Sequence, residues 1–256
     1  SYEQGGPGST SVSVAPKLPP IPTLRCKGYC FRKESPLSDA LELRPTKLTS
    51  RFEVLRPLAV GGMGAVSVAF DQVQGDTCCI KSIPVGSDPV IIQRFVAEAS
   101  VLVALRSPHV VPLRAYGVDD EIIWYAMDRM TGSLYSRRKS KAPIEPMLAA
   151  DWMVQALAGL EALHRRGVVH RDVKLANLLL DNAGTVMVAD LGLARHPQGS
   201  VPYRTQGDRG LGTPDYAAPE LFRDAANADL RADLFGIAVC FFELVTAQAP
   251  ARFVLH

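Results

Sequence analysis

The sequence predicts an α+β protein of two lobes: an antiparallel β-sheet with one helix in a small first lobe, then a mainly helical second lobe. Two observations predict it. Between Phe52 and Met127 the apolar residues fall in short β-branched runs separated by glycines and turn residues, the texture of antiparallel strands. After Thr131-Gly132 they fall instead at helical spacing over long stretches.

Taken in order, residues 1–50 are rich in Pro, Gly and Ser and show no periodicity until Leu41, so they read as a flexible leader. A first residue of Ser rather than Met suggests a processed or excised piece. Strands are expected over 52–60, 65–70 and 77–83. A helix over 89–105 follows, with Ile92, Phe95, Val96, Ala99 and Leu102 at helical spacing. Strands resume over 110–116 and 121–127, giving five strands and one helix. Helices are expected over 146–164 and 232–247, with a loop-rich region between them. The expected division is a leader 1–50, a small lobe 51–128, a hinge 128–132 and a partial large lobe 133–256, with no internal repeat.

Composition narrows the class. At 47% hydrophobic and 21% charged, the 256 residues suit a globular protein rather than a disordered tail or a fibre. A net charge of +2 without a basic block speaks against a nucleic-acid partner. No apolar run reaches the roughly 18–20 residues that span a bilayer. Five cysteines at irregular spacing, without a signal-peptide pattern, point to a reducing, cytoplasmic setting. Cys26 and Cys30 supply half of a zinc ribbon, but no second ligand pair lies nearby.

The chemistry is carried by spaced motifs. Ala59-Val60-Gly61-Gly62-Met63-Gly64-Ala65-Val66 is a glycine-rich turn between two expected strands, where backbone amides can approach phosphate oxygens; alone it reads equally well as a tight β-turn. Lys81 stands between apolar strand residues and needs a partner, which Glu98 on the following helix can provide; singly, each also reads as an ordinary surface charge. The decisive run is His170-Arg171-Asp172-Val173-Lys174-Leu175-Ala176-Asn177, followed by Ala189-Asp190-Leu191-Gly192. Phosphoryl transfer needs a carboxylate to orient the attacking hydroxyl and oxygen ligands for Mg²⁺, and Asp172, Asn177 and Asp190 form such a set.

With Ala218-Pro219-Glu220 added, the ordered series resembles the protein kinase family from Phe52 to the C-terminus, and Gly-Gly-Met-Gly most resembles its bacterial serine/threonine branch. The resemblance implies a two-lobed protein-kinase-like fold, ATP with Mg²⁺ (or Mn²⁺) as cofactors, and proteins bearing Ser or Thr as substrates. It makes Asp172 the catalytic aspartate, Lys174 the lysine that steadies the transferred phosphoryl, Lys81 and Glu98 the phosphate-positioning ion pair, and Asn177 and Asp190 the metal ligands. Ala59, Val60, Gly61, Gly62, Gly64 and Val66 become the phosphate-covering loop and adenine contact. Cys79 and Leu179 line the nucleotide pocket, and Met127, Asp128 and Met130 belong to the hinge that reads adenine.

By the same resemblance Asp233 is the buried aspartate that holds the catalytic loop, although its position also suits a helix N-cap. Lys174 and Thr213 resemble the serine/threonine class. Arg171 is a natural receiver for a phosphate added by autophosphorylation of the activation segment, with Thr205 and then Ser200 as sites. Dimerisation through the small lobe is common in the resembled family. Ala59 replaces the loop's first glycine, Cys79 the usual alanine, and Leu191 the commoner phenylalanine. Glu220 ordinarily pairs with an arginine from a later helix that this sequence does not identify. A buried unpartnered carboxylate is costly, so a C-terminally longer chain is expected to be more stable. Two other classes share parts of the pattern: a pseudokinase scaffold, and a small-molecule kinase of the aminoglycoside or choline type, which lacks the 212–220 segment.

Overall fold

A computed structural model of the chain describes residues 47–61, 64–138, 142–192, 194, 215–224 and 228–248. Cys26, Cys30, Gly62, Ser200, Thr205 and Thr213 lie outside the described residues.

Strands β1 (Phe52–Gly61), β2 (Gly64–Asp71), β3 (Asp76–Pro84), β4 (Leu113–Val118) and β5 (Ile122–Asp128) form one antiparallel sheet in the order β1-β2-β3-β5-β4. Helix α1 (Pro89–Ala104) enters between β3 and β4. It starts where the sequence says it must: the Asp88 carboxylate accepts the Val90 N–H at 2.7 Å, and Pro89 sits in the first turn, where a missing N–H costs nothing. Its buried stripe is Ile92, Phe95, Glu98, Val101 and Leu102, and Phe95 packs on Tyr125 of β5 with ring centroids 5.0 Å apart.

The expected strand over 110–116 begins only at Leu113. Val110 and Val111 are claimed by the second lobe: Val110 bridges Val188, and the Val111 N–H donates to the Val188 carbonyl at 3.0 Å. Pro112 then offers no donor to a ladder. Leu48, assigned by its sequence context to the leader, is buried in a 3₁₀ turn (Leu48–Ser50), and its amide donates to Asp119 at 3.0 Å.

The second lobe comprises β6 (Gly132–Ser133), α2 (Leu134–Arg138), α3 (Pro146–His164), β7 (Leu178–Leu180), β8 (Val186–Val188), α4 (Pro219–Asp224) and α5 (Arg231–Thr246). Helix α3 repeats the device of α1, with Glu145 accepting from the Met147 and Leu148 amides and Pro146 in the first turn. Strands β6, β7 and β8 make a small antiparallel sheet that sequence periodicity did not announce, because two or three residues are too few to show a period. One apolar core spans both lobes, from Ile83, Phe95 and Tyr125 to Leu160, Leu163 and Leu244. A smaller cluster of Leu48, Phe52, Ala69 and Trp124 lies apart from it in the first lobe.

Glu220 corrects an expectation. It is exposed on α4 rather than buried, so the burial cost expected of an unpartnered carboxylate does not fall on it.

Candidate active site

Register places the first group of residues. Ala59 pairs with Val66, Val66 with Lys81, Lys81 with Tyr125, and Cys79 with Met127. Opposed residues share a face and alternate residues return to it, so Ala59, Val66, Cys79, Lys81, Tyr125 and Met127 all stand on one face of the sheet. Val60 falls on the other face and is 82% exposed, so only its backbone belongs to the turn. Gly64, at the far side of that turn, has φ of 111° and lies close under β3; a Cβ there would meet the Ser82 carbonyl oxygen at 2.4 Å. Only glycine fits. On the large-lobe side, Leu179 of β7 pairs with Ser133 and so lies beside the chain that leaves β5 through Asp128 and the half-buried Met130.

Lys81 is the centre of a charge cluster in which Lys81 and Glu98 are buried and Asp190 is part-exposed. Its Nζ lies 2.8 and 3.1 Å from the two Glu98 oxygens and 3.1 Å from Asp190 Oδ1. Glu98 also accepts the Leu191 N–H at 3.1 Å, so one carboxylate ties α1, β3 and the segment after β8 together, and the Lys81 ammonium lies 5.9 Å from the centroid of the Tyr125 ring of β5. Burial pulls the Lys81 pKa down, but Glu98 and Asp190 outweigh it and hold the ammonium above its ordinary value. Burial likewise pushes Asp190 up, and Lys81 outweighs it, leaving that carboxyl below the usual range. Glu98, the most enclosed of the three, is raised by burial despite Lys81.

The 170–177 loop is held from below by α5. Asp233, fully buried, accepts the His170 N–H at 2.9 Å, the Arg171 N–H at 2.7 Å and a hydrogen bond with His164 Nε2 at 2.7 Å. The helix N-cap is Leu230, and Asp233 lies inside the first turn, so the capping alternative does not apply. Turning two successive amides onto one carboxylate requires an unusual backbone, and Arg171 has φ of 67°. Asp190 has φ of 61°. Such conformations cost roughly 1–3 kcal/mol each in non-glycine residues and persist only where the surroundings impose them. His170 is fixed as one tautomer: Nδ1 accepts the Asp172 N–H at 3.2 Å, so Nε2 carries the proton donated to the Ala189 carbonyl at 3.0 Å. Arg171 is 2% exposed and donates to the Ala228 carbonyl at 3.0 Å.

Above this base, Lys174 Nζ lies 2.7 Å from Asp172 Oδ2. Asn177 Nδ2 donates to the Asp172 carbonyl at 2.8 Å and to Oδ2 at 3.1 Å. The β7–β8 pairing sets Leu178 opposite Val188, and the Ala189 N–H donates to the Asn177 carbonyl at 3.0 Å, which brings Asn177 and Asp190 to the same end of one hairpin. With its amide nitrogen engaged by Asp172, the Asn177 side chain has its oxygen left as a ligand atom. Among the described residues no group of three His, Cys, Asp or Glu side chains forms a metal cage. An amide oxygen beside a part-exposed carboxylate suits Mg²⁺, which is usually held by one or two protein oxygens together with phosphate and water.

Sequence reading missed three contributors. Tyr125 carried no signal because it sits in an apolar strand, and Arg114 because its partners are scattered along the chain. Glu243 of α5, 2% exposed, is bonded by Arg138 at 3.0 Å and by the Tyr216 hydroxyl, and in the sequence it looks like one more helix charge.

The described residues thus set a lysine, two aspartates, a glutamate and an asparagine between a sheet lobe and a helical lobe. The chain belongs to the protein kinase domain family, which matches residues 52–253. Serine/threonine-protein kinase PknH of Mycobacterium tuberculosis is 32% identical over 219 residues, covering 84% of this chain and 34% of that protein. PkaA of Streptomyces coelicolor is 33% identical over 218 residues, with coverage of 78% and 40%, and PrkC of Bacillus subtilis 28% over 207, with 80% and 32%. The chain thus spans about a third of the length of the curated relatives it matches. Among the described residues no helix is long and apolar enough to cross a membrane.

Proposed function

We propose that this chain is the catalytic part of a protein serine/threonine kinase, transferring the γ-phosphate of ATP to Ser or Thr hydroxyls of proteins. The observation that carries the reading is the assembled cluster of Lys81, Glu98 and Asp190 at 2.8–3.1 Å, beside an Asp172 held by Lys174 and Asn177. A cleft with one fixed ammonium and several oriented oxygens suits an anionic polyphosphate.

In this reading the Lys81 ammonium, aimed by Glu98, receives the α- and β-phosphates. The hinge backbone at Met127–Met130 holds adenine, with Val66, Cys79 and Leu179 packed against the ring and Gly61, Gly62 and Gly64 covering the phosphates. Asp172 accepts the hydrogen bond of the attacking hydroxyl and takes its proton as the new O–P bond forms and the bond to the β-phosphate oxygen breaks. Lys174 balances charge on the transferred group. Asn177 Oδ1 and the Asp190 carboxylate would hold Mg²⁺, which when bound supplies charge neutralisation of the phosphates. The ordered Asp215–Glu220 stretch, tied to α5 through Tyr216 and Glu243, favours a polypeptide acceptor over a small molecule. We further propose autophosphorylation at Thr205 or Ser200, with Arg171 as the receiving side chain.

Labelled Mg-ATP, a generic basic protein and the chain, followed by phosphoamino-acid analysis, tests this. Label on serine and threonine is expected. Label on tyrosine, or on an added aminoglycoside or choline but not on protein, would contradict the reading.

A further inference from the structure

Arg114 of β4 takes no part in the chemistry above, yet it has the densest set of ionic contacts in the small lobe's described residues. Its Nε donates to Asp128 Oδ1 at 2.5 Å, and Nη1 and Nη2 donate to the two Asp76 oxygens at 2.5 and 3.1 Å. Nη1 also lies 3.7 Å from Asp71 Oδ2. Asp71 is fully buried and is clamped by Arg51 at 2.9 and 2.8 Å. The Arg114 side chain is 8% exposed, so its planar fork is fixed between carboxylates from the end of β2, the start of β3 and the end of β5. Three carboxylates share two guanidinium groups.

Asp128 is where β5 gives way to the hinge. Its backbone N–H donates to the Pro112 carbonyl at 3.2 Å, and its side chain is held by Arg114, two residues further along the same chain. The two attachments therefore fix one hinge residue to β4 and to the residue just before it. Without the Arg114 guanidinium, Arg51 remains engaged by Asp71 and Arg129 by the Thr77 hydroxyl, and the Asp76 and Asp128 carboxylates lose the cation that both of them bond. Like charges so placed repel, and the freer of the two attachments is the hinge.

We propose that Arg114 is a positioning residue for the nucleotide: by clamping Asp128 to the start of β3, it presets the hinge backbone that receives adenine. This rests on reading Met127–Met130 as the adenine-binding segment. Preorganised backbone saves ordering cost on binding, so the clamp acts on affinity. None of the groups around Asp172 touches it, so the phosphoryl-transfer step is left alone.

The test measures the dissociation constant of a non-hydrolysable Mg-ATP analogue, with KM for ATP, kcat and melting temperature, for the wild type, Arg114→Gln, Arg114→Lys and Asp128→Asn. Arg114→Gln is expected to weaken binding and raise KM by roughly fivefold, with kcat within about twofold of wild type, the scale of one charge-assisted contact acting indirectly. Arg114→Lys, which can meet one carboxylate but not two, should fall between. Should Arg114→Gln fail to fold, Asp128→Asn decides, with roughly threefold weaker binding expected because one arm of the fork is lost. Binding unchanged in the folded variants, or kcat and KM failing together with the melting temperature, would overturn the proposal. Absence of nucleotide binding by the wild type would instead overturn the nucleotide-site reading, and this proposal with it.

Discussion

The Asp233 carboxylate, fully buried on α5, is tolerable there because three donors meet it: two loop amides and His164. An Asp233→Asn substitution keeps the shape but turns an NH₂ group toward donors, leaving at least one of them without an acceptor. We expect a loss of about 1–3 kcal/mol in urea unfolding and a fall in phosphate incorporation, since the loop it anchors carries Asp172; unchanged activity would contradict the anchoring role. Asp71 makes a pH prediction. The Arg51 hydrogen bond outweighs burial and holds its carboxyl below the ordinary carboxylate value of 3.8. A depressed folded pKa means that the stabilisation is present above the unfolded value and is lost as pH falls through the folded one. Asp71→Asn should therefore melt below the wild type at pH 7, with the gap closing below about pH 4. A gap constant with pH would refute it. At this scale the sequence singled out Asp172, Asn177 and Asp190, because the chemistry suggested by their motifs dictates residue type. It was silent on Arg114 and Tyr125, because an arginine or a tyrosine in a strand has many ordinary explanations.

Among the elements, α5 serves as the floor of the candidate site, and its contact with the 170–177 loop depends on a missing side chain. A Cβ at Gly236 would stand 2.8 Å from Val173 Cβ and 2.9 Å from the Val173 carbonyl oxygen, so Gly236→Ala must move either the helix or the loop. Overpacking of this kind costs about 1–3 kcal/mol. Because the displaced residue is next to Asp172, we expect kcat to fall more than stability does, read by turnover beside thermal melting; a variant with lower melting temperature but full turnover would show that the loop does not move. Helices α1 and α3 were legible to within a residue because each opens with an acidic cap and a proline and then keeps its period. Strands β6–β8 were not legible, being too short to show a pattern, and β4 was predicted too long because Val110 and Val111, strand-like in type, pair with β8 instead.

For the molecule as a whole, the lobes are joined by shared packing as well as by the hinge. Gly159 of α3 lies so close under the α1–β4 connection that a Cβ there would meet the His109 carbonyl oxygen at 2.2 Å, and Val188 N–H donates to that same oxygen at 2.9 Å. The fold class was legible because the change from strand texture to helical period is abrupt at Gly132. The order of the motifs was legible because each piece of chemistry is local in sequence. Their meeting was not, since the Lys81–Asp190 contact joins residues 109 positions apart and only the folded chain can close it. The exposed Leu230 at the cap of α5 and Leu234 and Phe242 along it were likewise invisible to a pattern that reads the helix as amphipathic.

The central claim is that this chain transfers phosphate from ATP to protein hydroxyls through Asp172. Its most direct test is incorporation of labelled phosphate from Mg-ATP into a generic basic protein by the wild type and by Asp172→Asn, with both shown to be folded and to bind nucleotide. Removal of a group that accepts the hydroxyl proton typically costs about 10²–10⁴-fold in rate, so incorporation should fall by at least about a hundredfold in the variant. Equal incorporation by the two proteins would contradict the account.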